Sequence, residues 1–294
     1  MGTKSFCFFP MLRGIVAAIV TIVMLLLSGV PAPVAAGAAG TAGTAGDNGS
    51  EVVGTVPYLL IASGENDSRS AECTLGNAVA DALRIYLNSD IAIVSGGDLV
   101  ANLPSGEITW DTLRSVFAED RPLATVTVTI RQLREILEAG LFHIVLDESE
   151  RIDVFASAYN GFPQISGFTI RYDASSAPGD RVRDVVINNE SVKLDDNETT
   201  VTLAATSFIL EGGYGLPKVA GTIVPSGMTL VDVMARYVND GMADYRKMGD
   251  RIRPMGVGNI TVSGFLIAGV IVVVSLLSWS RKKRMMKRFS NFTL

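Results

Sequence analysis

Apolar and polar positions alternate along this chain in several distinct ways, and each pattern predicts a different element. Leu75, Val79, Ala82, Leu83 and Tyr86 recur at three- and four-residue spacing. That spacing gives one apolar face and predicts a helix from Thr74, stopped by Asn88-Ser89-Asp90. Ile91-Ala92-Ile93-Val94 is apolar without interruption and predicts a short buried strand. Thr125 to Ile130 alternates strictly, as a half-exposed strand does. Arg131 to Leu141 places Leu133, Ile136, Leu137 and Leu141 on one helical face. Trp110 to Phe117, introduced by Thr109, and Thr229 to Val238 predict two further helices. Tyr58 to Ile61, Gln164 to Tyr172, Val182 to Ile187 and Thr200 to Ala205 predict strands. Ala177-Pro178-Gly179-Asp180 turns between the middle two. Helices and strands mix without regular βαβ order, so the expected class is α+β with a mixed sheet.

Two longer apolar runs lie outside this pattern. Gly14 to Val30 is interrupted only by Thr21 and Ser28, follows Lys4 and Arg13, and precedes small residues at Val34-Ala35-Ala36. It predicts a signal peptide over residues 1–36, with a retained signal anchor as the alternative. Ile260 to Trp279 is 20 residues without a charge, enough to cross about 30 Å of hydrocarbon. Arg281-Lys282-Lys283-Arg284, Lys287 and Arg288 follow it and predict a cytoplasmic tail over 280–294. Between the runs, the expected order is a flexible Ala/Gly/Thr leader at 37–55, a domain at 56–240 and a charged stalk at 241–259. The chain is thus expected to be a single-pass type I membrane protein of the plasma membrane or secretory pathway, its domain extracellular or lumenal. Asn48, Asn66, Asn189, Asn197 and Asn259 each begin an Asn-x-Ser/Thr acceptor, so a glycoprotein is expected.

Charge narrows the partners. Eight of the 25 cations and none of the 30 anions lie in 1–36 and 260–294, leaving 17 against 30 for residues 37–259. A net charge of −13 excludes a nucleic-acid partner, whose binding needs a basic footprint. Of the two cysteines, Cys7 lies in the predicted signal peptide. Cys73 is left alone at an apolar helix start, where a buried thiol is expected over a bridge between chains.

The candidate chemistry gathers around Ser95-Gly96-Gly97-Asp98, which follows the buried strand. Paired glycines there make either an ordinary tight turn or a turn whose amides stay open to a ligand. Glu72-Cys73-Thr74-Leu75-Gly76-Asn77, Asp90 to Gly97, Gly106-Glu107-Ile108-Thr109, Gln132 to Glu138, Gly161 to Gly167 and Glu211-Gly212-Gly213-Tyr214-Gly215 occur in one order from about Val56 to Asp240. In order and spacing they resemble the C-terminal domain of the 5'-nucleotidase family. In that family an N-terminal dinuclear-metal domain hydrolyses, while the C-terminal domain holds the base and helps hold the phosphate.

The resemblance implies a ligand site at Phe162, Tyr214, Arg69, Arg121, Gly96, Gly97, Asp98 and Asn77. Phe162 takes the place of one aromatic that clamps the base; the other falls on Leu216, with Tyr214 nearby. Arg69 matches a family arginine, but a second arginine is replaced by Val100, an asparagine by Ser95, and a Pro-Phe-Gly-Asn block by Ala118-Glu119-Asp120-Arg121. Valine offers a phosphate no donor, and Arg121 is the candidate replacement. A core phenylalanine and solvated arginines are the structural alternatives.

No catalytic set is evident. A two-metal phosphatase needs a cluster of His, Asp and Asn ligands, and this chain has one histidine, His143. No metal site, cofactor or catalytic residue is therefore expected, and the short stretch before the domain leaves no room for a metal domain. Three functions stay open. One is a non-catalytic domain with weak nucleoside or nucleotide recognition, or a degenerate scaffold linked to nucleotide breakdown. The second is a hydrolase completed by a metallophosphatase partner, and the third a structural surface glycoprotein.

Overall fold

The computed structural model describes residues 49–63, 67–246, 249–255 and 257. The first helix, α1 (Thr74–Tyr86), follows β1 (Val52–Val56) and precedes β2 (Ile91–Ser95) and a single 3-10 turn at Gly96–Asp98. Next come β3 (Gly106–Thr109), α2 (Trp110–Val116), β4 (Pro122–Thr129), α3 (Ile130–Gly140), β5 (Pro163–Ser166), β6 (Phe168–Asp173), β7 (Val182–Ile187) and β8 (Glu190–Ser191). The remaining elements are β9 (Thr200–Thr206), the one-turn α4 (Ser207–Leu210), β10 (Val224–Thr229), α5 (Leu230–Asn239) and β11 (Ile252–Met255).

A five-stranded sheet of order β10–β4–β9–β2–β5 divides two hydrophobic cores. Strand β2 pairs parallel with β9 and antiparallel with β5, and it is buried along its whole length. Because side chains alternate across a strand, Ala92 and Val94 face one core and Ile91 and Ile93 the other. The first core is filled from α1, α2 and α5 by Leu75, Leu83, Leu113, Leu230 and Met234. The second is filled by Leu133 and Leu137 of α3 and by Ile170, Tyr172 and Val185 of a four-stranded sheet, order β11–β6–β7–β8. This is the expected α+β class with mixed sheets.

Helix starts follow the sequence closely. Thr109, Thr129 and Thr229 each cap a helix through their side-chain oxygens, and Thr129–Gln132 and Thr229–Asp232 close capping boxes. Ile130, the expected last residue of the alternating strand, is instead the first residue of α3.

Four expected segments differ. Gln164 to Tyr172 is not one strand: Gly167 at φ +85° breaks it, and its two halves join different sheets. Only glycine suits that turn, since a Cβ there would meet the Asp90 carbonyl. Tyr58 to Ile61 forms a single bridge between Leu60 and Leu103, because the next amides, Ile61 and Ala62, bond to the Thr74 and Asn102 side chains. The expected leader at 37–55 contains β1, which pairs antiparallel with β3 and lies against Val238 at Gly54. The expected stalk at 241–259 contains β11, parallel to β6, held by Arg251 on Asp81 at 2.8 Å.

Asn189 and Asn197 are exposed. Among the described residues no helix is long and apolar enough to cross a membrane. The runs 14–30 and 260–279, the basic tail, and Asn48, Asn66 and Asn259 lie outside the described residues.

Candidate functional site

The Gly-Gly turn is a packing device. The Gly96 amide donates to the Phe162 carbonyl at 2.8 Å and the Gly97 amide to the Asn160 carbonyl at 2.9 Å. Of the two readings of the paired glycines, these bonds favour the ordinary turn: both amides are used inside the protein. A Cβ on Gly96 would run into the Ser68 carbonyl, and one on Gly97 into the Asn160 side chain. The Ser68 hydroxyl also donates to the Gly96 carbonyl at 2.9 Å. The glycines thus let two loops, at 68–69 and 160–162, close on the end of β2.

Asn77 also does structural work. Its amide donates to Glu72 Oε1 at 2.6 Å, and Glu72 Oε2 accepts the Arg251 and Ile252 amides at 2.7 and 3.1 Å. The residue sits in the first turns of α1, buried, and fastens β11 rather than a ligand.

Asp98, Arg121 and Tyr214 do converge. Asp98 closes the turn with 0% exposure. Its Oδ1 accepts Arg121 Nε at 3.1 Å and the Tyr214 hydroxyl at 3.0 Å; its Oδ2 has no hydrogen-bond partner among the described residues. Burial pushes the Asp98 carboxyl above the usual carboxylate range, only partly offset by Tyr214 and Arg121. Burial and the adjacent Asp98 charge push the Tyr214 phenol up to about 12. Arg121 Cζ lies over the ring of Phe208, 3.7 Å from its centroid, and 5.7 Å from that of Tyr214. Phe208 meets Tyr214 edge-on at 4.9 Å. Tyr214 is held at φ +53° between Gly212 and Gly215, both also in the left-handed region. Such backbone in a non-glycine residue costs energy and persists where its surroundings impose it.

The other two predicted residues do not join them. Arg69 forks onto its neighbour Asp67 at 2.9 and 2.8 Å and stays exposed. That hydrogen-bonded fork, against a smaller opposing effect of burial, holds the Asp67 carboxyl below its usual range. The ring of Phe162 is 1% exposed and belongs to the second core, as does Leu216. Phe162 is therefore a core phenylalanine, and the base clamp expected of it does not form.

Three residues escaped sequence reasoning: Phe208, Tyr159 and Asn160. Tyr159 donates its hydroxyl to the Tyr214 carbonyl, and its amide donates to the Arg69 carbonyl at 2.9 Å. His143 stacks on its ring at 4.4 Å, tilted 35°, with Phe142 edge-on to the imidazole at 5.3 Å. Tyr159 stands just ahead of the Gly161 block, a signal that was available. Phe208 lies in an apolar stretch and gives none. Cys73 is buried and free, and burial pushes its thiol up to about 12. Its sulfur accepts the Gly76 amide at the start of α1.

A groove of about 810 Å³ reaches Gly215 from the surface of α3, between Arg134, Glu138, Asp195 and Pro217. Both of its arginines are engaged: Arg134 pairs with Asp195 at 2.7 Å and with Glu138 and Asp180 at 3.8 Å, and Arg131 donates to the Asp195 carbonyl at 3.0 Å. Three buried side-chain oxygens have no hydrogen-bond partner among the described residues, Asn77 Oδ1, Ser95 Oγ and Asp98 Oδ2, and none of these residues lines the groove. Among the described residues no three His, Cys, Asp or Glu stand together as metal ligands.

The mixed sheets and their helices make an α+β domain, and its class is fixed by the family it matches. The chain belongs to the family "5'-nucleotidase, C-terminal domain", matched over residues 52–221. It is 28% identical over 207 residues to the trifunctional nucleotide phosphoesterase protein YfkN of Bacillus subtilis, covering 65% of this chain and 12% of that one. Protein 5NUC of Lutzomyia longipalpis is 28% identical over 242 residues, covering 74% and 39%. The 5'-nucleotidase of Homo sapiens is 22% identical over 223 residues, covering 68% and 36%. The match thus spans about two fifths, or less, of each of these relatives. Among solved structures, a 5'-nucleotidase precursor from Thermus thermophilus superposes with a TM-score of 0.60 at 21% identity, over 84% of this chain and 43% of that one. The NAD nucleotidase of Haemophilus influenzae gives 0.55 at 14%, over 70% and 38%. These two likenesses show the fold.

Proposed function

We propose that this chain is a membrane-anchored, non-catalytic recognition domain that binds nucleosides weakly, in a setting of nucleotide breakdown. The C-terminal domains of 5'-nucleotidases bind nucleotide substrate, and the family membership supports a ligand of that class. The observation that carries the reading is the cluster at Asp98. An arginine and a phenol hold a buried carboxylate that has one unpartnered oxygen, and the Phe208 ring packs against both of them. Flat rings suit a base. The phosphate side is poor, since Arg69 and Arg121 both lie on carboxylates of the protein.

The apolar run at 260–279 and the cations behind it support the anchor, with the domain outside the cytoplasm, in the plasma membrane or secretory pathway. Loss of apparent mass on glycosidase treatment of the expressed chain tests that placement. For function, the purified full-length chain is dialysed against millimolar adenosine and assayed for AMP hydrolysis with divalent metal. Binding without hydrolysis is the expected result. Metal-dependent hydrolysis contradicts the reading, and no binding at all favours a purely structural glycoprotein.

A second reading, a hydrolase completed by a metallophosphatase on another chain, is favoured by one feature. Phe142, Val145 and Phe155 stand in solvent on one segment, Phe155 at 92% exposure, beside the His143–Tyr159 stack. Large apolar side chains exposed within one short stretch of chain are a candidate interaction surface. Copurification of a metallophosphatase, lost in Phe155→Ser, would support it.

A further inference from the structure

Arg121 is the arginine nearest the ring cluster, and both edges of its guanidinium meet carboxylates. Nε donates to Asp98 at 3.1 Å and Nη1 reaches Glu119 at 3.2 Å. Its Cζ lies over the Phe208 ring. A phosphate monoester needs the same fork that these carboxylates hold.

The two carboxylates are not equivalent. Glu119 is 67% exposed and free to swing into water. Asp98 cannot leave. Its carboxylate is shut from solvent and tied by the Tyr214 hydroxyl, and its carbonyl accepts the Ala118 amide at 3.0 Å. The turn that carries it is fixed through the Gly96 and Gly97 amides. Asp98 therefore stands permanently where an anionic group of a ligand would neutralise Arg121. Its second oxygen is likewise shut from solvent and has no partner among the described residues, so the carboxylate's charge is offset only through Arg121 and Tyr214.

We propose that Asp98 fixes the charge of the ligand: it serves Arg121 as an internal anion, so the site takes neutral nucleosides and turns away their monophosphates. The proposal rests on the recognition reading above and names the ligand class of that site. An arriving dianion finds its arginine neutralised and a buried negative charge beside it. A nucleoside carries no charge for Asp98 to repel and offers a flat apolar face to the rings.

The test is calorimetric titration of the full-length chain and of Asp98→Asn with adenosine and with AMP. Asparagine keeps the shape and one oxygen but removes the charge. In the native protein adenosine is expected to bind at least as tightly as AMP. In Asp98→Asn, AMP is expected to gain tenfold or more over adenosine, and Arg121→Gln on that background is expected to remove the gain. If both ligands bind and Asp98→Asn leaves their ratio unchanged, the inference fails and the recognition reading stands. If neither ligand binds either protein, both fail together. Should Asp98→Asn not fold, salt decides on the native chain alone. Repulsion makes AMP bind relatively better as ionic strength rises, whereas a working phosphate grip makes it bind worse, and that result overturns the proposal.

Discussion

Asp81 and Asp98 each sit inside the protein against an arginine, and the two pairs are built in opposite ways. Asp81 takes both ends of the Arg251 guanidinium at 2.8 and 2.9 Å, the Ser166 hydroxyl at 2.5 Å and the Tyr245 hydroxyl at 2.6 Å. Burial pushes its carboxyl up, but the Arg251 fork and charge, Ser166 and Tyr245 together bring it below the usual range. Asp98 puts one arginine nitrogen and one phenol on a single oxygen and leaves the other bare. There burial wins and the carboxyl rises. A buried charge pair stabilises only when its remaining hydrogen-bonding capacity is filled. Asp81 meets that condition and serves as a clasp. Asp98 does not: one of its oxygens stays unfilled beside Arg121 and Tyr214.

The clasp gives the largest expected effect. Arg251→Ala leaves the partly buried Asp81 without its cation and releases β11, and should cost about 3 kcal/mol in urea unfolding. A loss below about 1 kcal/mol would mean that β11 is held by its ladder to β6 alone. The floor of the Asp98 cluster comes next. Gly96→Ala drives a methyl into the Ser68 carbonyl and should cost about 2 kcal/mol, the usual range for overpacking. Unchanged stability there would show that the two loops are not in contact with the turn.

The two aspartates also predict opposite pH dependences. A depressed carboxyl such as Asp81 contributes stability that is present above the unfolded value of about 3.9 and is lost as pH falls through the folded value. A raised one such as Asp98 contributes stability that is present below about 3.9 and is lost as pH rises through the folded value. Unfolding measured across the acid range should therefore show Asp81→Asn losing ground to the native chain as pH rises, and Asp98→Asn gaining it. Parallel curves for the two variants would erase the contrast. At neutral pH the smallest effect is expected. Asp98→Asn should change stability by no more than about 1 kcal/mol, because the lost charge pairing and the lost burial of charge nearly cancel.

The same contrast separates what the sequence makes legible from what it does not. Patterns that act within a few residues transfer well. The four apolar residues of β2 are buried on both faces, and Thr109, Thr129 and Thr229 start their helices. Both aspartate pairs depend on partners far along the chain, and neither leaves a local mark. Arg251 lies 170 residues from Asp81, in a charged stretch that composition alone assigns to a stalk. Gly96 and Gly97 look the same in sequence whether their amides wait for a ligand or bond to 160 and 162. Phe162 could stack on a base or fill a core, and the burial of its neighbours decides for the core. Tyr214 and Arg121 were legible as a pair of candidates. Asp98 was legible as a candidate beside them, but not its pairing with Arg121 and Tyr214.

What the Asp98 cluster prefers to bind decides its role. Calorimetry of the native full-length chain with adenosine and AMP at low ionic strength, where charge is least screened, measures that preference directly. Adenosine is predicted to bind as tightly as AMP or more so. AMP binding ten times tighter, a difference of about 1.4 kcal/mol, would show that Arg121 or Arg69 grips phosphate after all and would contradict the role given to Asp98.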